Sequence, residues 1–338
     1  MRVSVIGAGS WGTAVCWLLG GKGHDVRLWS REVEIADGIN SERRNPMYLP
    51  DVELTSQVFA TPDMEDALFG AEAVVMVTPS IGVRQTAESM APHLPADTPV
   101  VILSKGVEGG TNMLMTEVLQ DVLGNKRRIA GLSGPNHAEE VSKGIPSATV
   151  VAAYEPGVGE LFQEIFMTPF FRVYTNPDVI GVELCGASKN VVAIAAGMCD
   201  GLGYGDNTKA TLMTRGLAEM TRLGRKLGAN QLTYMGLAGM GDLIVTCTSR
   251  HSRNRGLGEL IAKGGTMQEF SDKTHMVAEG AVACISVDDL AKREGLELPI
   301  THEVRAILYE NKPVANAQDA LLGREAKDEL HGLGLIAD

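Results

Sequence analysis

Arg2-Val3-Ser4-Val5-Ile6-Gly7-Ala8-Gly9-Ser10-Trp11-Gly12 decides the fold. The stretch from Arg2 to Ile6 reads as a short buried strand, and a helical run over residues 11–19 starts within the glycines that follow. Each glycine has its own task. Gly7 permits the tight turn, Gly9 removes the side chain that would block a pyrophosphate, and Gly12 lets the new helix pack closely on the strand. Free amides at the helix start then face an anion. The spacing alone is weak, and an ordinary glycine-rich strand-to-helix turn is the alternative, but a strand before and a helix after are the context a dinucleotide motif requires.

Working outward, strand-like runs at residues 3–6, 25–29, 73–77, 100–103, 129–132 and 148–152 alternate with helical stretches. That alternation predicts a mostly parallel sheet covered on both faces, a Rossmann-type doubly wound domain over residues 1–180. The proline-flanked segment 45–50, between the second and third of these runs, is expected to be a mobile loop near the cofactor edge. Beyond Pro177 the pattern changes to long helical stretches at 178–199 and 207–227, which predicts an all-helical substrate and catalytic domain over 181–338. Residues 191–197 (VVAIAAG) have almost no polar face, so their helix is buried.

Bulk composition agrees with an α/β protein of about two domains: 338 residues, 44% of them hydrophobic, can bury a large core. With 30 Lys plus Arg against 42 Asp plus Glu, the net charge of -12 argues against a surface that wraps nucleic acid. The five cysteines, Cys16, Cys185, Cys199, Cys247 and Cys284, show neither a CxxC pair nor metal-ligand spacing, which fits reduced thiols. No signal peptide is expected, and no apolar run is expected to reach the length of a membrane span, so the expected location is the cytoplasm.

The residue ending the second strand usually selects the nicotinamide cofactor, because a carboxylate there holds the ribose hydroxyls and repels a 2′-phosphate. Ser30-Arg31 occupies that place. A guanidinium can hold the extra phosphate, which leans toward NADP over NAD; the alternative is a solvated arginine neutralised by Glu32 or Glu34. In the helical half, Lys189 precedes the apolar run and is expected at its N-terminal edge. Partial desolvation there lowers a lysine's pKa toward the range of a proton-transferring group, whereas a lysine with its stem packed and its head in water is the plainer reading. Asn190 beside it is suited to orienting a substrate hydroxyl.

The stretch 181–207, GVELCGASKNVVAIAAGMCDGLGYGDN, together with GAGSWGTA at residues 7–14, resembles the bacterial soluble NAD(P)-dependent glycerol-3-phosphate dehydrogenases. LSKG at 103–106, LSGPNHA at 132–138, GMGDL at 239–243 and SRN at 252–254 match as well, so the resemblance spans nearly the whole chain. Cys185 and Ser188 depart from it, replacing a glycine and an aliphatic residue, and put the packing around Lys189 in question but not the reaction.

What the resemblance implies is reversible hydride transfer between NAD(P) and C2 of sn-glycerol 3-phosphate, giving dihydroxyacetone phosphate, in support of phospholipid synthesis. It implies a proton-transferring Lys189, with Lys105 and the carboxylate Asp242 beside it. It places the substrate against Lys105, Gly134, Asn136, Lys189, Asn190, Asp242, Thr246, Ser252, Arg253 and Asn254, the last three at the phosphate. The cofactor falls to Gly7, Gly9, Ser10, Trp11, Gly12, Arg31, Lys105, Ala138, Arg253, Val277 and Glu279. Plainer roles stay open at this point: a solvated loop lysine for Lys105, a helix cap for Asp242, a packed helix residue for Thr246 and a solvated helix start for the basic segment 250–255. His137 is not assigned the proton, which the family leaves to lysine. No metal and no nucleic acid are expected, and a homodimer is the family habit. Two other readings compete: another hydroxyacid dehydrogenase of the same group, which needs a carboxylate anchor in place of Ser252–Asn254, and a non-catalytic dinucleotide sensor, which needs no Lys189, Lys105 and Asp242 together.

Overall fold

The computed structural model describes residues 1–274, 278–329 and 331–332. It divides into two units, Met1–Ser104 with Met115–Val179, and Lys105–Leu114 with Ile180–Asp338. A single cut at residue 180 therefore misses one excursion. The segment Lys105–Leu114 leaves the first unit directly after a strand and joins the second, taking Lys105 with it.

The first unit is built on eight strands: β1 (Arg2–Ile6), β2 (Asp25–Trp29), β3 (Val58–Thr61), β4 (Ala73–Met76), β5 (Val100–Ile102), β6 (Ile129–Ser133), β7 (Ser147–Ala153) and β8 (Phe171–Asn176). Their order is β3-β2-β1-β4-β5-β6-β7-β8, parallel throughout except for the antiparallel pair β6 and β7. Central strands carry apolar side chains on both faces because helices cover both, and β4 is buried at every position. The strand order reverses between β1 and β4. That switch point, outside the C-terminal ends of the strands, is where an open α/β sheet collects its ligand.

β3 and β8 are absent from the runs read in the sequence. They are the two edges of the sheet: β3 has only four residues, with Phe59 exposed, and β8 alternates buried and exposed positions, with Tyr174 exposed, so the apolar signal of each is weak. The segment 45–50, expected to be a mobile loop, is anchored at its first residue. It lies between β2 and β3, and Asn45, with no exposed surface, donates from Nδ2 to the Ala8 carbonyl and to Thr13 Oγ1, each at 2.8 Å. Its Oδ1 accepts from the amides of Met47 and Tyr48. The segment is thus fastened to the glycine loop.

The second unit contains no strand among its described residues. At its centre runs the helix Val179–Gly201, buried without interruption from Gly181 to Ile194. This helix corrects two expectations. With a mean hydropathy of 1.5 it is long and apolar enough to cross a bilayer, yet 89% of the apolar stretch is buried inside the protein, which makes it a core helix. Lys189, moreover, stands in the middle of the buried stretch and not at its edge.

Candidate active site

In the first unit the glycine loop has the geometry its sequence demands. Gly7 adopts φ +121°, and a Cβ there would lie 3.0 Å from the Val77 carbonyl carbon and oxygen. A Cβ on Gly12 would lie 1.9 Å from the Gly7 oxygen, so only glycine lets the helix α1 (Ser10–Gly21) leave the strand at this angle. Nothing lies within 4 Å of a Cβ built on Gly9. Its missing side chain is therefore not required by the packing of the fold. Gly9 is also the N-cap of α1 and has no side chain to cap with, and the first turn carries no acid. The leading amides, Ser10 and Trp11 among them, remain available to an anion such as a pyrophosphate.

Arg31 follows β2 by two residues, with 82% of its side chain exposed, and its Nη2 pairs with Glu32 Oε1 at 2.9 Å. Gly134, directly after β6, has φ +155°, and a Cβ there would lie 2.9 Å from the Thr149 Cα. Asn136 donates to Thr149 Oγ1 at 3.2 Å, and Ala138 is buried. The helix that follows, Ala138–Val141, is four residues long.

The second unit gathers the ionic residues. Lys189, 4% exposed, directs Nζ to three acceptors: Thr246 Oγ1 at 2.7 Å, Asp242 Oδ1 at 3.0 Å and Asn190 Oδ1 at 3.2 Å. Asp242 gives its other oxygen, Oδ2, to Lys105 Nζ at 2.6 Å. The plainer readings of Lys189, Lys105 and Asp242 thus give way to one lysine–carboxylate–lysine cluster, in which Lys189 and Asp242 are buried and Lys105 is part-buried. Thr246 completes it. Its hydroxyl donates to the Asp242 carbonyl one turn back at 2.6 Å, which turns a lone pair toward Lys189.

Local structure explains how Asp242 arrives there. It opens the short helix α2 (Asp242–Thr248) directly after a π-turn, Leu237–Gly241. A Cβ on Gly239 would lie 2.2 Å from the Tyr234 carbonyl oxygen, so the tight coil needs glycine at that point.

Burial lowers the pKa of Lys189 to about 8, Asp242 opposing the fall and Lys105 adding to it. For Asp242, burial favours the neutral acid, but the two ammonium groups more than offset it and hold the carboxyl below its ordinary range. The cluster therefore carries one net positive charge when both lysines are protonated, with one amine that changes protonation near neutral pH. That is the equipment for moving a proton to or from an oxygen while a cation stabilises the polarised carbonyl.

The basic segment is a helix start. Ser252 caps α3 (Arg253–Ala262), its Oγ accepting from the Arg255 amide at 3.2 Å. Arg255 is committed to structure, its Nε 2.6 Å from Asp200 Oδ2, whereas Arg253 is exposed. Asn254 is buried, with Nδ2 donating to Asn190 Oδ1 at 3.0 Å and Oδ1 accepting from the Gly280 amide at 2.9 Å. Glu279 opens the next long helix, α4 (Glu279–Arg293), while Val277 lies outside the described residues. The structure thus brings Lys105, Lys189, Asn190, Asp242, Thr246 and Asn254 into one hydrogen-bonded group. Gly7, Gly9, Ser10, Trp11, Gly12, Arg31, Gly134, Asn136 and Ala138 belong to the first unit. Sequence reasoning missed two contributors, Asn45 behind the glycine loop and Gly280 behind Asn254.

A doubly wound sheet with a glycine loop opening an uncapped helix, joined in one chain to a helical unit holding a lysine of lowered pKa, defines a nicotinamide-dependent dehydrogenase class. Within that class, the chain belongs to the NAD-dependent glycerol-3-phosphate dehydrogenase family: the family's N-terminal model matches residues 2–158 and its C-terminal model residues 178–319. It is 48% identical over 328 residues to a glycerol-3-phosphate dehydrogenase [NAD(P)+] of Moorella thermoacetica, covering 97% of each chain. A Bacillus cereus relative of the same description is 44% identical, with 98% of each chain covered. The crystal structure of glycerol-3-phosphate dehydrogenase from Coxiella burnetii superposes with a TM-score of 0.92 at 38% identity, covering 96% of this chain and 99% of that one.

Proposed function

We propose that the protein interconverts dihydroxyacetone phosphate and sn-glycerol 3-phosphate by hydride transfer at C2 with NAD(P), and that Lys189 carries the proton. The observation that bears this reading is the Lys105–Asp242–Lys189 cluster, whose buried amine has a pKa of about 8. Bound dinucleotide supplies or accepts the hydride. In the reducing direction the C2 carbonyl oxygen takes a proton from the Lys189 ammonium as hydride reaches carbon, giving the secondary alcohol. In the oxidising direction the neutral amine takes the hydroxyl proton back. Lys105 stabilises the carbonyl oxygen as negative charge builds on it, and Asp242 holds both lysines in place.

Ser252, Arg253 and Asn254, at the start of α3, hold the substrate phosphate, where leading amides and a guanidinium suit a phosphate monoester. Asn190 orients the substrate hydroxyl. Gly134 and Asn136 complete the substrate contacts; Ala138, Val277 and Glu279, together with Arg253, those of the cofactor. Ser30-Arg31 favours NADP: the Arg31 guanidinium, now paired with Glu32, would hold the 2′-phosphate. The enzyme works as a cytoplasmic homodimer and supplies the glycerol 3-phosphate backbone of phospholipids. The test is a mixture of protein, NADPH and dihydroxyacetone phosphate, which should lose its nicotinamide absorbance. Loss only with a 2-keto or 3-keto acid would give the reaction to another hydroxyacid dehydrogenase, and no loss with either would leave a dinucleotide sensor.

A further inference from the structure

Two side-chain amides stand between Lys189 and the first turn of α4, and one main-chain group dictates how both are turned. The Gly280 amide donates to Asn254 Oδ1 at 2.9 Å. A backbone N–H can only donate, so Asn254 has a single orientation available, with Nδ2 turned away from Gly280. That Nδ2 donates to Asn190 Oδ1 at 3.0 Å, and the same oxygen accepts from Lys189 Nζ at 3.2 Å. Asn190 is thereby set with its oxygen toward the ammonium. Its Nδ2, which has no partner among the described residues, is left as an uncommitted donor beside the amine. Reversal of Asn190 would set its NH2 group against the donors of Lys189 and Asn254, a costly clash because all three residues are buried.

Steric fit points the same way. A Cβ on Gly280 would lie 2.5 Å from the Asn190 carbonyl oxygen and 2.9 Å from Asn254 Oδ1. Only glycine lets the amide at this point of α4 come within hydrogen-bonding distance of Asn254 while passing the backbone of Asn190.

We propose that Gly280 and Asn254 are positioning residues for proton transfer: the Gly280 N–H sets Asn254, and Asn254 sets Asn190 with its oxygen on Lys189 and its Nδ2 as a donor to the substrate oxygen. The inference rests on Lys189 being the proton carrier. Two variants test it through the pH profile of dihydroxyacetone phosphate reduction, the KM of that substrate, and NADPH affinity read from nicotinamide fluorescence. Asn254→Leu breaks the chain at its middle. The Lys189 ammonium loses an oriented acceptor, so the alkaline limb moves to lower pH, and the substrate KM rises about 3- to 10-fold, the worth of one hydrogen bond, with NADPH affinity kept within about two-fold. Asn190→Asp keeps both acceptor contacts, adds a negative charge and deletes the donor. Its limb moves to higher pH while the substrate KM again rises. Limbs that coincide with the native one in both variants overturn the proposal, as does an Asn190→Asp enzyme with native KM, since the outward group would then have been an oxygen. If Asn254→Leu does not fold, as judged by circular dichroism, Asn190→Asp decides alone. A native protein that cannot reduce dihydroxyacetone phosphate at all overturns the functional reading and this one with it, whereas native turnover with unshifted limbs overturns this one only.

Discussion

Asp242 is a small carboxylate doing two electrostatic tasks, and removing its charge separates them. With Asp242→Asn, the buried Lys189 ammonium loses its ion-pair partner and the part-buried Lys105 loses the carboxylate it shares with Lys189. Loss of one partner of a buried ion pair costs on the order of 3–5 kcal/mol, which urea unfolding of the variant should report. Lys189 also loses the partner that opposes desolvation, so its pKa falls below about 8 and the alkaline limit of carbonyl reduction moves toward neutrality. At Arg31 the contest is between Glu32 and a 2′-phosphate for one exposed guanidinium. Arg31→Ala should weaken NADPH more than NADH by several-fold in fluorescence titrations, and Glu32→Gln should strengthen NADPH. Equal effects on the two cofactors would remove Arg31 from the account of cofactor choice. Nothing in the spacing of Lys105, Lys189 and Asp242 shows that they meet. They are brought together by an excursion of the chain, a core helix and a π-turn, and only resemblance to a family groups them in the sequence.

Among the elements, the glycine loop separates what the fold requires from what a ligand requires. Gly12→Ala drives a Cβ into the Gly7 carbonyl, an overpacking that costs about 1–3 kcal/mol and tilts α1, so stability and dinucleotide affinity fall together. Gly9→Ala meets no protein atom. It should melt like the native protein while binding NADPH at least tenfold more weakly, and native affinity in that variant would contradict the reading of the gap as a pyrophosphate seat. The loop was legible because both glycine roles are local. Asn45, which fixes the Ala8 carbonyl from 37 positions away, was not, since an Asn-Pro pair in a loop carries no mark of a distant partner. The edge strands β3 and β8 escaped for a different reason: β3 is only four residues long, and β8 has one wet face, so each carries a weak apolar signal.

For the molecule as a whole, stability should depend on pH through Glu219, which is buried and accepts the Ile300 amide at 2.8 Å at the start of the helix Pro299–Tyr309. Burial raises its pKa from 4.5 to about 7, the Ile300 and Thr301 amides opposing the rise. The folded form therefore holds a proton that the unfolded chain releases above pH 4.5, and stability falls as pH rises from there to about 7, by roughly 3 kcal/mol in all. Thermal melts across that range should lose this slope in Glu219→Gln; an unchanged slope would assign it elsewhere. The two-unit plan itself was readable from the switch between strand-helix alternation and long helices, but not the transfer of Lys105–Leu114 to the helical unit, which depends on packing that periodicity does not encode.

The central claim is that a desolvated lysine moves the proton, and the rate of dihydroxyacetone phosphate reduction measured against pH tests it most directly. Native enzyme should lose kcat as pH rises through about 8, with the reverse oxidation gaining over the same interval. Lys189→Ala should lower kcat by about 10²–10⁴ and abolish that limb while leaving NADPH affinity intact. A Lys189→Ala enzyme that keeps the native rate and the native limb would contradict the account.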